Sequence, residues 1–407
     1  MPAEAPGAAP KNPTPPMSPL DWIDEELAAL DHRGLRRRLR SCVHARAWIE
    51  WDGRRLVHFG SNDYLGFAAH PAVVAGARAA LAGYGFGAGA SPLITGRTPL
   101  HEELERRLAA FEAAEAALLF PTGFAANVGT IPALVGRGDT VFSDAKNHAS
   151  LIDGCRLSRA EVLVYRHADA GHLEDLLKPP GAAQRSETRR RLIVTDSVFS
   201  MDGDVAPLTD LCDLAERYDA MLLVDEAHAT GVFGPGGRGA CHAAGVADRV
   251  PIRMGTLSKA LGALGGFVVG GRRLIDWLAN RARSYVYSTA APAAVCAAAL
   301  AALDLLEEDP LLGERLLSRA ARFRRRLGLR GWNVGGSASQ IVPILLGDAA
   351  EAVARSESLL AAGLFVPAIR PPTVPAGESL LRVSLTSLHT EAMLDELLAA
   401  LESAGRR

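Results

Sequence analysis

A chain of 407 residues that is 48% apolar and carries a formal net charge of −2 can build two substantial cores, and it has no charge excess to attract a polyanion, so no nucleic-acid partner is expected. Its five cysteines, Cys42, Cys155, Cys212, Cys241 and Cys296, are odd in number, scattered and without a Cys-x-x-Cys pair, which argues against a disulfide framework or structural zinc and favours a reducing cytoplasm. The longest apolar stretch, 290–303, is mostly alanine and falls short of the roughly 20 residues a membrane span requires, so no membrane association is expected.

Residues 1–19 hold seven of the 24 prolines, with no basic start followed by a leucine-rich run, and read as a disordered tail rather than a signal peptide. Leu20, Ile23, Leu27, Leu30, Leu35 and Leu39 then recur near a helical period, and short strand-like pieces follow around 48–59, so residues 20–65 are expected to form an N-terminal arm. From 66 to 295, apolar strands at 117–120, 140–142, 162–165, 192–195, 221–224 and 267–269 alternate with amphipathic helices. The helix at 102–113 buries Leu104, Leu108 and Phe111; the one at 207–219 starts with Pro207 in its first turn and buries Leu208, Leu211, Leu214 and Ala215. Strands apolar on both sides predict an α/β domain with a sheet covered on both faces. Beyond 296 a long alanine- and leucine-rich helix, a strand at 341–345, the segment AIRPPTVP and a strand then helix over 382–401 predict a smaller C-terminal α+β domain. No repeat of 20–50 residues is present.

Only four of the 44 basic residues are lysines, and one of them, Lys259, sits in the glycine-flanked apolar run GTLSKALGALGG, where a solvated charge has no purpose. Arginine cannot replace an amine that must form a Schiff base or move a proton near neutrality, so Lys259 points to carbonyl or pyridoxal phosphate chemistry. The buried strand at 221–224 delivers Asp225 to its C-terminal end, the edge where open parallel sheets gather ligands, and His228 follows three residues later. A carboxylate beside a pyridine nitrogen keeps it protonated, a pairing of about 4 kcal/mol at 4 Å and an effective dielectric near 20 before desolvation. Phosphate needs clustered donors, which Thr122, Gly123 and Phe124 offer at a turn leading into a helix, with Thr256 placed to complete the cradle. No metal ion is expected.

The competing readings of these residues are structural. DEAH at 225–228 also spells a helicase box, but no phosphate loop of the form GxxxxGK[ST] accompanies it. Asp225 alone could cap a helix, His148 likewise, and Arg36 could belong to a solvated arginine face. The joint spacing of Asp225, His228 and Lys259 favours a site.

The motifs SNDYLG at 61–66, PTGFAAN at 121–127, NHASLIDG at 147–154, DSVFSMDGD at 196–204, VDEAHATG at 224–231, GTLSKALG at 255–262, YSTAAP at 287–292 and RPPTVPAG at 370–377 occur in this order, and with them the chain, over about 20–400, resembles the α-oxoamine synthases. These are fold-type-I pyridoxal phosphate enzymes that join an amino acid to an acyl thioester with loss of CO2. The resemblance implies that fold, a homodimer with shared active sites, and the following roles. Lys259 forms the Schiff base, Asp225 meets the ring nitrogen, His228 donates to the ring oxygen and His148 covers the ring face and orients substrate. Ser200 contacts the cofactor, and Gly123, Phe124 and Thr256 hold the phosphate, with Ser288 and Thr289 reaching it from a neighbouring subunit. Arg382 receives the amino-acid carboxylate, where a bidentate fork fits, and Asn62 lies beside it. AIRPPTVPAG is most similar to members that condense L-alanine with a pimeloyl thioester on the route to biotin, which adds Arg36 and Thr373 as substrate contacts. The chain departs from the pattern at Ala88 and Ala90, where many members have serine or glycine, and at Asp196, where some have glutamate. Members using glycine or serine with another acyl-CoA share the same core. A non-enzymatic cofactor-binding regulator is the reading from another class, but no helix-turn-helix is appended.

Overall fold

The structure is a computed structural model that describes residues 18–37, 39–178 and 190–403. It forms two compact units, Met1–Ser41 and Cys42–Arg407. The first contains helix Trp22–His32, shorter than the periodic stretch at 20–40, because the chain turns at Gly34 with φ 63°. Of the proline-rich tail, all but residues 18 and 19 lies outside the described residues.

The second unit is built on a seven-stranded sheet: β1 (Ala116–Phe120), β2 (Thr140–Asp144), β3 (Glu161–Tyr165), β4 (Arg191–Asp196), β5 (Met221–Asp225), β6 (Ile252–Thr256) and β7 (Gly266–Gly270). Their order is β1-β7-β6-β5-β4-β2-β3, with only β7 antiparallel to its neighbours. Alternate residues feed two separate cores: Leu118, Val141, Leu223 and Val268 on one face, Leu119, Phe142, Leu222, Val224 and Phe267 on the other. That division is why the strands read as unbroken apolar runs.

The strand absent from the sequence reading is β6, because Arg253 and Gly255 interrupt its apolar character. Both have a tertiary reason. Arg253 is buried and donates from Nη1 to the carbonyls of Ala247 and Val250 at 2.5 and 3.2 Å, and from Nη2 to that of Glu112 at 2.7 Å. Gly255 faces Phe267 on β7, whose ring lies 2.2 Å from where a Cβ would sit.

The helices deviate mostly at their ends. Leu208–Arg217 buries the four residues expected, but Pro207 occupies the cap rather than the first turn. Pro99–Phe111 begins three residues early, since Pro99 fits the first helical position and His101 Nδ1 accepts the Thr98 N–H at 3.2 Å. The long helix beyond 296 is two, Ala293–Glu308 and Leu312–Leu329, broken at Pro310.

Further along, Ile341–Gly347, Ser379–Ser384 and Ala368–Ile369 make a three-stranded antiparallel sheet. Leu364–Phe365 instead pairs in parallel with Arg54–His58, so the N-terminal strands 43–58 share a sheet with the C-terminal segment. One hydrophobic core runs from β1 and β5 through Ile341, Leu381 and Val383. The consequence for chemistry lies at one sheet edge: Asp144, Asp196, Asp225 and Thr256 end the adjacent parallel strands β2, β4, β5 and β6, with Asp196 paired directly to Asp225.

Candidate active site

At that edge opens a cavity of about 200 Å³ lined by Gly123, Phe124, His148, Asp225, His228, Thr256 and Lys259, together with Thr122, Ser150, Asp196 and Ser258. Seven expected site residues, drawn from four separate segments, thus converge. The positions that link them are ones the sequence reading did not single out. Asn127, on the first turns of helix Gly123–Leu134, donates from Nδ2 to Asp225 Oδ2 at 2.7 Å and to Ser150 Oγ at 2.9 Å. Ser150 Oγ lies 2.8 Å from His148 Nδ1, which also accepts the Ser150 N–H at 3.2 Å, so the Nδ1 lone pair is engaged and the opposite ring edge is left for a ligand. Asp225 Oδ1 accepts the Ala227 N–H at 2.8 Å. Its carboxylate is therefore fixed on both oxygens.

Lys259 reaches the cavity on the loop after β6. Burial drives its amine down to about 8, while Asp225 and Asp196 pull the other way and Arg382 adds to the lowering. At pH 7 about one such amine in ten is neutral, against roughly one in 2,500 for free lysine. Burial and the adjoining Asp225 carboxylate push Asp196 well above the ordinary aspartate range, and its Oδ2 accepts the His148 N–H at 2.6 Å. His228 is buried and held well below the usual histidine range by that burial, then by Lys259 and Arg382, which keeps it neutral. Unloaded protein is accordingly expected to capture pyridoxal phosphate at a rate that rises with pH through an inflection near 8, read by stopped-flow absorbance. An inflection above about 10 would mean an amine in open water.

The expected substrate group sits beside the cavity rather than in its lining. Arg382 is buried and donates from Nε to the Ser200 carbonyl at 2.5 Å, from Nη1 to Ser384 Oγ at 2.6 Å and from both terminal nitrogens to Asn62 Oδ1 at 3.3 Å. Tyr64, buried within SNDYLG, joins this group to the cavity: its Oη lies 3.2 Å from Asn62 Oδ1 and 2.6 Å from His228 Nδ1. Ser200 enters this geometry through its carbonyl and does not line the cavity. Thr373 is exposed, outside the lining, with its N–H donated to the Arg370 carbonyl at 3.1 Å. Arg36 belongs to the N-terminal unit, where its Nη1 pairs with Asp31 Oδ2 at 2.5 Å. Ser288 and Thr289 line a different cavity, beside Arg97, His101 and Glu105.

The residues present fit pyridoxal phosphate. Helix Gly123–Leu134 starts with Thr122 capping the Ala125 N–H at 3.0 Å, leaving the other first-turn donors and the positive helix end facing the cavity. Gly123 and Gly266 let the turn and β7 touch, since a Cβ on Gly266 would fall 2.6 Å from the Gly123 Cα. Thr256 Oγ1 donates to the Gly265 carbonyl and lies 2.8 Å from Ser258 Oγ, which places a second hydroxyl at the cradle that the sequence reading passed over. An amine, a carboxylate and a phosphate-sized cradle thus border one cavity.

Comparison with known proteins bears on the same point. The profile of the family "Aminotransferase class I and II" matches residues 54–401. An 8-amino-7-oxononanoate synthase of Anaeromyxobacter sp. (strain Fw109-5) is 54% identical over 390 residues, 96% of this chain and 97% of that protein. A serine palmitoyltransferase from S. paucimobilis, solved with a PLP–myriocin adduct bound, superposes with a TM-score of 0.88 at 33% identity, covering 95% of this chain and 97% of that one. The 8-amino-7-oxononanoate synthase of Francisella tularensis gives 0.72 at 28% identity, over 86% and 97%. The chain belongs to the class I and II aminotransferase family and, within it, to the pyridoxal phosphate-dependent α-oxoamine synthases.

Proposed function

We propose that this enzyme condenses L-alanine with a pimeloyl thioester, on coenzyme A or an acyl carrier protein, to give 8-amino-7-oxononanoate, CO2 and the free thiol in biotin biosynthesis. The observation that carries the reading is the 54% identity to an 8-amino-7-oxononanoate synthase across nearly both full lengths, well above the 33% shared with the serine palmitoyltransferase.

When bound, pyridoxal phosphate supplies an electron sink for negative charge at the amino acid's Cα. Asp225 would hold the ring nitrogen, its orientation fixed by Asn127 and the Ala227 N–H; His228, backed by Tyr64, would meet the ring oxygen, and His148 the ring face. Gly123, Phe124, Thr256 and Ser258 would hold the phosphate. Arg382 binds the alanine carboxylate through its fork, with Asn62 giving up its long contacts to make room. The neutral Lys259 amine removes the Cα proton and returns it after CO2 has left, a task suited to a group poised near neutrality. The protein's contribution is orientation, dryness and placement of charge. Arg36 and Thr373 remain proposed substrate contacts on the strength of the sequence resemblance.

A homodimer is part of this reading. Phe86, Ile94 and Tyr287 are 82%, 75% and 73% exposed, and their segments adjoin where Ala290 N–H meets the Ala90 carbonyl at 2.9 Å, which supports a covered apolar patch in the assembled enzyme. A cytoplasmic location is proposed as well. Cys155, Cys212, Cys241 and Cys296 are buried free thiols, and no helix among the described residues is long and apolar enough to cross a membrane.

The test is a matrix of alanine, glycine and serine against pimeloyl-, acetyl- and succinyl-CoA. The expected kcat/KM for alanine with pimeloyl-CoA exceeds every other pair by about 100-fold or more. A preference for glycine or serine would reassign the substrate within the family.

A further inference from the structure

A histidine outside all eight motifs joins two structures at the edge of the site. His167 Nδ1 lies 2.9 Å from Asp144 Oδ1 and its Nε2 lies 2.8 Å from Asp204 Oδ2. Asp144 ends β2 and is buried; its two oxygens also accept the N–H groups of Lys146 and Ala168, each at 2.8 Å. Asp204 closes the loop 196–204, its carbonyl accepting the Phe199 N–H at 3.1 Å. The His167 ring also meets Phe199 edge-on, with centroids 4.4 Å apart. A neutral imidazole has one N–H and could serve only one of the two carboxylates, so this geometry calls for the doubly protonated ring. Burial alone would disfavour that charge, but Asp144 and Asp204 hold the ring's pKa up to about 9.

The loop so gripped carries Ser200, whose carbonyl accepts the Arg382 Nε–H at 2.5 Å. The loop is held elsewhere as well, Ser197 donating its N–H and its hydroxyl to the Asp225 carbonyl at 2.9 and 3.0 Å. Gly203 accepts the Ala338 N–H at 2.9 Å and packs so close to Ile341 that a Cβ would fall 2.1 Å from its carbonyl oxygen, and Asp202 pairs with Lys146 at 2.9 Å. Phe199 and Asp204, the residues flanking the Ser200 turn, are the ones His167 touches.

We propose that His167 is a positioning residue, a cation bonded at both nitrogens that pins the 196–204 loop to the end of β2 and so fixes the Ser200 carbonyl that aims Arg382 at the amino-acid carboxylate. This rests on Arg382 being the carboxylate receptor. A neutral replacement frees one end of the staple, and a displacement of the guanidinium by a fraction of an ångström is felt first by the substrate it grips.

The experiment compares His167→Gln, Asp204→Asn, Arg382→Lys and the His167→Gln/Arg382→Lys pair, each loaded with cofactor, measuring KM for L-alanine and for pimeloyl-CoA with melting temperature alongside. His167→Gln is expected to raise the alanine KM about tenfold while the pimeloyl-CoA KM stays within about twofold, with Asp204→Asn, nearly isosteric, showing the same split should the glutamine variant fold poorly. In the Arg382→Lys background, which lacks the Nε contact, His167→Gln is expected to add less than about twofold. Equal changes in both KM values, an unchanged alanine KM beside a raised one in Arg382→Lys, or full additivity in the pair would overturn the proposal alone. An unchanged alanine KM in Arg382→Lys would overturn the carboxylate assignment and the proposal with it.

Discussion

Replacing Lys259 by alanine is expected to lower turnover by about ten-thousandfold or more while leaving the fold intact. The amine lines the cavity and is depressed to about 8, while the two histidines of the lining are engaged through Nδ1, His148 with Ser150 Oγ at 2.8 Å and His228 with Tyr64 Oη at 2.6 Å. Removing a positioned proton-transfer group costs about 10²–10⁴ on its own, and losing the covalent anchor adds to that. Arginine at 259 should do no better, since its guanidinium stays charged. The check is turnover by product mass spectrometry together with a melting curve. Residual activity within tenfold of the native enzyme would move the chemistry to another group.

Arg382→Ala carries the second large effect, a loss of about 100- to 1,000-fold in kcat/KM for L-alanine, from charge-assisted bonds to a carboxylate worth about 1.5–3 kcal/mol each. Arg382→Lys should recover charge but not the fork, and so only part of the loss. The substitution also strips donors from Ser384 Oγ, the Ser200 carbonyl and Asn62 Oδ1, so its melting temperature must be read beside the kinetics. A loss equal for alanine and for the thioester would point to local collapse instead of a missing carboxylate receptor.

The part of the site readable in the sequence is the part that lies at strand ends. Asp225 follows an unbroken apolar strand, and Lys259 stands out because arginine fills nearly every other basic position. What stayed hidden acts through contacts between distant segments. Tyr64 meets His228 across 164 positions and Asn127 meets Asp225 across 98, and nothing local marks either. Both sit inside motifs, SNDYLG and PTGFAAN, which was the available signal. Strand β6 was concealed by Arg253 and Gly255, each explained only by a partner on another element. Likewise the two short residues Leu364–Phe365 carry no periodicity of their own and become a strand only beside Arg54–His58. Thr373, expected from the resemblance as a substrate contact, is outside the cavity lining.

Four lysines in the whole chain allow an unusually clean assay of the reacting amine. Borohydride reduction of the pyridoxal phosphate-loaded enzyme, followed by digestion and peptide mass mapping, should leave one pyridoxyl group per chain, on Lys259. A label on Lys146 or Lys178, or none at all despite bound cofactor, would contradict the central assignment.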